Sequence, residues 1–257
     1  MLLVIDVGNT ETTLGLCRGD AVVHHWRVIT EPSRTPDEHA LQLRALASLA
    51  GVAHDAVTGC AIGSVVPAVT EPLAAGVHLA FGCVALVVDA HSALPIRVAV
   101  DEPLTVGADR LINTLAASRL YARDAIVVDL GTATTYDCIT ADGVFLGGVI
   151  APGVRTSADS LFRRTSKLAA TELVAPRRVI GTRTEECIRA GVLYGAADAI
   201  EGIVRRIKGE WPTAAEPIVL ATGGLASQLA PWCPSVTAVV PELTLQGLRL
   251  AHELLAS

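Results

Sequence analysis

Aromatic residues make up only 4% of this 257-residue chain, and it holds a single methionine. Hydrophobic content is nevertheless 51%, so its cores must be built from Leu, Val, Ala and Ile. Basic residues are outnumbered, 20 Lys and Arg against 26 Asp and Glu, for a formal charge of −6. No basic stripe is available to neutralise phosphates, which excludes a general nucleic-acid binder. Apolar runs are short and broken by Gly, Pro or charge, and none has the length of a membrane span. Cysteines at 17, 60, 83, 138, 187 and 233 include no C-x-x-C pair. Several lie in apolar runs, where buried reduced thiols are expected. Met1 leads straight into Leu2–Ile5 without a charged leader or cleavage site, so no signal peptide is expected, and the location expected is cytoplasmic. P-loop, G-x-G-x-x-G and Ser-His-Asp patterns are all missing, which removes the commoner nucleotide-binding and hydrolase readings.

What the chain does have is a repeat. Leu2-Leu3-Val4-Ile5-Asp6-Val7-Gly8-Asn9-Thr10-Glu11-Thr12-Thr13 is echoed, about half a chain later, by Ile126-Val127-Val128-Asp129-Leu130-Gly131-Thr132-Ala133-Thr134-Thr135. Each copy reads as a buried strand, a tight turn and a hydroxyl-rich second strand. The glycine lets backbone turn closely around a ligand and present N–H groups to an anion. The aspartate before it can hold a cation, directly or through water. Two such hairpins point to a metal-bound polyphosphate, and their spacing to two related halves.

The first half reads as the hairpin, a strand at Ala21–Val28, a helix from Thr35 and a buried strand at Ala56–Val66. A helix to about Phe81, a strand at Val84–Val88 and a helix from about Asp109 to Tyr121 follow. Thr35-Pro36-Asp37-Glu38 supplies an N-cap, a first-turn proline and a capping-box glutamate. The apolar stripe expected for that helix is Leu41, Ala45, Leu46 and Leu49, with Gly51 ending it. The second half reads as hairpin, strand Gly143–Ile150, helices Arg155–Leu168 and Thr184–Lys208, strands Ile218–Ala221 and Val236–Val240, and a closing helix Leu243–Leu254. Alternation of strands and helices predicts mixed sheets covered by helices.

Two further segments bear on chemistry. Thr222-Gly223-Gly224 follows a strand and opens a helix, where adjacent glycines let a flat ring lie against backbone; alone, Gly-Gly at a strand end is usually a turn. Gly107-Ala108-Asp109-Arg110 places Asp109 at a helix N-terminus, where the dipole favours an ionised carboxylate, beside an Arg110 fork suited to a carboxylate or phosphate. Without the hairpins it would read as a plain N-cap. With them, Asp109 is the carboxylate that a kinase needs to orient or deprotonate an acceptor hydroxyl. Arg163, Arg164 and Lys167 read as a solvated face, and His24-His25 as structural.

These strings, with Val106-Gly107-Ala108-Asp109-Arg110, Gly147-Gly148-Val149-Ile150-Ala151-Pro152-Gly153 and Ile180-Gly181-Thr182-Arg183-Thr184, resemble the acetate and sugar kinase, heat-shock chaperone and actin superfamily. Within it they resemble the type III pantothenate kinase family, in the family's order and over nearly the whole chain. The resemblance implies an α/β fold of two actin-like (ribonuclease H-like) domains, 1–120 and 121–257. Each would be a mixed sheet flanked by helices, with a cleft between them. It implies ATP-dependent phosphorylation of pantothenate, the first step of coenzyme A biosynthesis. ATP would meet Asp6, Val7, Gly8, Asn9, Thr10, Glu11, Thr12, Thr13 and Thr132. Asp6 would serve magnesium, possibly through water, and Asp129 a monovalent cation, potassium or ammonium. Asp109 would be the base, and Gly107, Ala108, Asp109, Arg110 and Thr184 would bind pantothenate. Two positions depart from the family pattern on the acceptor side: Val100, where some members have an aromatic residue, and Ala169, where many have proline.

The apolar stripe Ile188, Val192, Leu193, Ala196, Ile200, Ile203 and Ile207 on the helix from Thr184 has helical spacing. It fits a core helix equally with one that also covers a second subunit; the resemblance implies a homodimer. Two competing readings are another small-molecule alcohol kinase of the superfamily and a catalytically silent nucleotide-sensing regulator. Asp109 weighs against the regulator, which has no need of a carboxylate aimed at an acceptor.

Overall fold

The computed structural model describes residues 1–168 and 170–256. Ala169, one of the two departures, lies outside the described residues. The chain divides into two compact units, Met1–Leu120 with Gly143–Phe145 and Glu242–Ser257, and Tyr121–Asp142 with Leu146–Pro241.

The first unit holds strands β1 (Leu2–Val7), β2 (Glu11–Arg18), β3 (Ala21–Ile29), β4 (Gly59–Ser64) and β5 (Ala85–Val88), arranged β3-β2-β1-β4-β5. Neighbouring pairs among β1, β2 and β3 are antiparallel, while β4 runs parallel to both β1 and β5. Side chains alternate across a strand, so central β1 supplies two cores at once. Leu3, Ile5 and Val7 face helices α1 (Pro36–Leu49) and α2 (Pro67–Phe81), where Leu43, Leu73 and Val77 are buried. Val4 faces the other side, against Ile112 and Leu115 of α3 (Ala108–Tyr121) and Leu245 and Leu248 of α7 (Leu243–Leu255).

α1 begins as read: Thr35 accepts the Glu38 N–H, and the Glu38 carboxylate accepts the Thr35 N–H at 2.8 Å. Its buried face differs from the expected stripe. His39, Ala40, Leu43 and Ala47 point inward, while Leu41 and Leu49 are 70% and 82% exposed. Apolar residues ring this helix, so periodicity alone leaves the face ambiguous, and packing against α2 and the sheet selects it.

The second unit holds β7 (Ala125–Leu130), β8 (Ala133–Ile139), β9 (Val144–Pro152), β10 (Ile218–Thr222) and β11 (Ala238–Val239), in the order β11-β10-β7-β8-β9. β10 is parallel to β7 and β11, and β7 antiparallel to β8. Ile126, Val128 and Leu130 pack with Leu193, Ile200 and Val204 of α5 (Thr184–Gly209). α4 (Val154–Arg164) stops short of the expected Leu168, where the Thr165 hydroxyl caps the Leu161 carbonyl at 2.7 Å. One strand was not anticipated: the short β6 (Arg97–Val98) pairs with Val144 and Phe145, the residues of β9 that group with the first unit. The helix expected after Thr222-Gly223-Gly224 is a single turn, α6 (Ala226–Leu229). No helix among the described residues is long and apolar enough to cross a membrane.

Candidate active site

Both repeats fold as hairpins of matching register. In the first, Asp6 pairs with Thr13 and Val7 with Thr12; in the second, Asp129 pairs with Thr135 and Leu130 with Thr134. Each turn is closed across its glycine, by the Gly8 N–H on the Glu11 carbonyl and the Gly131 N–H on the Ala133 carbonyl, both at 3.1 Å. A residue that the sequence reading did not single out, Thr30, secures the first turn. Its hydroxyl donates to the Gly8 carbonyl at 2.7 Å and lies 2.9 Å from the buried Thr12 hydroxyl. Asn9, Thr10 and Glu11 stay exposed, while Val7 is buried and offers the turn only backbone.

The carboxyl ends of parallel strands are where open α/β sheets bind ligands. In the first unit the ends of β1 and β4 gather two predicted segments. The Val65 N–H bonds the Val7 carbonyl at 3.1 Å, and Val65 also packs at Gly107. The start of α3 therefore lies at the same sheet end as the Gly8 turn. A side chain on Gly107 would stand 2.5 Å from the Asp109 carboxylate, so glycine there makes room for it. Asp109 is half-buried, and its Oδ1 accepts the Arg110 N–H at 2.9 Å. Burial pushes its pKa up from the usual carboxylate value, against the lowering effect of that N–H and the Arg110 charge. The helix-terminal position favours the ionised form, but desolvation sets the net direction of the shift and makes Asp109 a stronger base than a free aspartate.

In the second unit the ends of β7 and β10 do the same work. Thr222 pairs with Asp129, and Gly223 follows with φ +89°. A Cβ on Gly223 would lie 2.6 Å from the Asp129 carboxylate, so the T-G-G segment closes directly on the second hairpin. Thr156, in the first turn of α4, donates to the Thr132 carbonyl at 2.6 Å and so steadies that turn; nothing in the sequence singled it out. Thr184 opens α5. With Thr134, Ser157, Cys187 and Gly191 it lines a largely apolar cavity of about 660 Å³.

Among the described residues no three His, Cys, Asp or Glu side chains gather as a metal-holding group. Magnesium on a nucleotide is commonly held by one or two carboxylates together with phosphate oxygens and water, so the hard oxygens of Asp6 and Asp129 suit a cation of this kind. His24 stacks on Trp26 at 6.0 Å, and the His25 Nδ1 is 3.4 Å from Glu242. Arg163, Arg164 and Lys167 are exposed. None of the six cysteines is in a disulfide; burial raises the Cys17 and Cys233 thiols to about 11, and of the six Cys187 alone is exposed.

Known proteins share this arrangement. The sequence profile of the type III pantothenate kinase family matches residues 2–206. A type III pantothenate kinase of Roseiflexus castenholzii is 45% identical over 254 residues, 99% of each chain. That of Moorella thermoacetica is 43% identical over 255 residues, covering 98% of this chain and 99% of its own. Among solved structures, a ROK hexokinase from Thermus thermophilus shares the fold with a TM-score of 0.52 at 14% identity, over 97% of each chain. An actin-like sugar-kinase fold and near-full-length similarity at this level together place the protein: it belongs to the type III pantothenate kinase family, and it is a kinase.

Proposed function

We infer that this chain transfers the terminal phosphoryl group of ATP to the primary hydroxyl of pantothenate, giving 4′-phosphopantothenate and ADP. This is the first step of coenzyme A biosynthesis, and a cytoplasmic location goes with it. One observation within the molecule supports it most: a half-buried Asp109, its pKa raised by burial, stands beside Arg110 at the same sheet end as the Gly8 turn. A silent nucleotide sensor would have no use for that pairing.

In this reading the Gly8–Thr13 backbone and hydroxyls and Thr132 hold the triphosphate. Asp109 accepts the hydroxyl proton as the acceptor oxygen bonds the γ-phosphorus and the bond to the ADP oxygen breaks. Arg110 receives the acceptor carboxylate, and Thr184 contacts the acceptor from the mouth of the apolar cavity. Asp6 would hold magnesium and Asp129 potassium or ammonium; bound there, the ions neutralise charge developing on the phosphoryl oxygens.

The reading extends to a two-fold homodimer. The cavity beside α5 is mainly apolar, and side chains added at Gly191, Gly195 or Gly202 would meet nothing within 4 Å. That open, small-residue helix face, continuous with Thr184, suits close approach of a second copy.

A coupled ADP-release assay across candidate alcohols, with and without potassium, tests the activity. Pantothenate should be the preferred acceptor and turnover should require a monovalent cation. Preference for a sugar alcohol would move the chain to another branch of the superfamily.

A further inference from the structure

Aromatic side chains are scarce in this chain, yet one lies directly under the acceptor-side arginine. The Arg110 guanidinium carbon stands 5.0 Å from the centroid of the Phe145 ring. Phe145 is 1% exposed, and its strand position is held by the Ala99 N–H on its carbonyl at 2.8 Å and by pairing of Val98 in β6. The Arg110 backbone is fixed as well, since its N–H reaches Asp109 and its carbonyl accepts the Thr114 hydroxyl at 2.8 Å.

We propose that Phe145 is a positioning residue for acceptor recognition, holding the Arg110 guanidinium in the orientation that receives a carboxylate. The proposal rests on the reading of Arg110 given above. Contact with a ring face consumes none of the five guanidinium donors, so the ring orients the fork without competing with a planar, bidentate partner. An arginine left unsupported would have to give up its rotamer freedom when the acceptor binds. Here that freedom is already restricted by the ring. The unanticipated strand β6 acquires a purpose in this account, because it fixes the start of β9 on which Phe145 stands.

The test compares pantothenate with its alcohol analogue, in which CH₂OH replaces the carboxylate. Each is measured as substrate or competitive inhibitor against the parent, Phe145→Leu, Phe145→Tyr and Arg110→Met. Phe145→Leu should raise KM for pantothenate about three- to thirtyfold. Its constants for the alcohol and for ATP, and kcat, should stay within about twofold of the parent. Phe145→Tyr keeps the ring face and should restore pantothenate binding. If the leucine variant does not fold, Phe145→Met provides the same comparison. Equal weakening for acid and alcohol, or a loss confined to kcat, would reduce Phe145 to core filling and overturn the proposal. Arg110→Met with unaltered preference for the carboxylate overturns the reading of Arg110 itself. If Arg110→Met abolishes that preference while Phe145→Leu is silent, only the positioning role fails.

Discussion

A carboxylate in the first turn of a helix is ordinarily favoured in its charged form, but at Asp109 burial works in the opposite direction and prevails. Because its pKa is raised, the base form appears only at a higher pH than for a free aspartate. The acid limb of kcat/KM should therefore lie above about 3.9, the usual carboxylate value. Asp109→Asn should lower kcat by about 10²–10⁴-fold, leave ATP binding intact and remove that limb. A raised pKa also means that the folded state disfavours the charge, so the variant should unfold at the same temperature as the parent or higher at neutral pH. A loss of less than about tenfold would demote Asp109 to a helix cap. The two turn aspartates separate by ion: Asp129→Ala should weaken dependence on potassium or ammonium more than on magnesium, and Asp6→Ala the reverse. Titrating both ions against both variants checks this, and superimposable curves would refute the assignment.

Among the elements, Asp124 holds together the approach to the second hairpin. Its carboxylate accepts the Ala141 N–H, the Trp211 indole N–H at 2.8 Å and the Thr213 hydroxyl at 2.9 Å, while its carbonyl takes the Ile218 N–H. Burial alone would raise its pKa, but the three donors outweigh burial and hold it below the usual value. For a lowered carboxylate the stabilisation is complete above the unfolded pKa and is lost as pH falls through the folded one. Asp124→Ala leaves three donors unmatched and should lower stability at pH 7 by about 1–3 kcal/mol, and the gap between the urea midpoints of parent and variant should narrow as pH falls below about 4. A gap that does not change with pH would mean that packing, not the charge, is responsible. The elements also differ in how openly they announce themselves. The α1 start was legible because Thr35 and Glu38 satisfy each other's backbone locally. Its buried face was not, because Leu41 and Leu49 satisfy the same periodicity as Leu43 and Ala47.

For the whole molecule the consequence to test is assembly. If a second copy covers the α5 face and completes the acceptor pocket, dilution below the dimer dissociation constant should lower specific activity. Pantothenate binding should weaken before ATP binding does, because Thr184 lines the cavity on that face, whereas Gly8–Thr13 and Thr132, proposed to hold the triphosphate, do not. Light scattering and activity over one concentration series decide it, and a fully active monomer sinks the idea. At this scale the sequence by itself determined the hairpins and the Gly107–Arg110 and Thr222–Gly224 segments. Each is a local matter of strand alternation, a turn that needs glycine and a carboxylate beside it, and such signals survive in the order of residues. Only the tertiary structure decided that α7 packs in the first unit, that Thr30 and Thr156 steady the two turns, that Gly223 abuts Asp129 and that Phe145 lies beneath Arg110. Those pairings join residues far apart in the chain through the paths of strands and helices between them, and desolvation of Asp109 depends on the same neighbours. Proximity and burial are made by packing, and no local pattern encodes them.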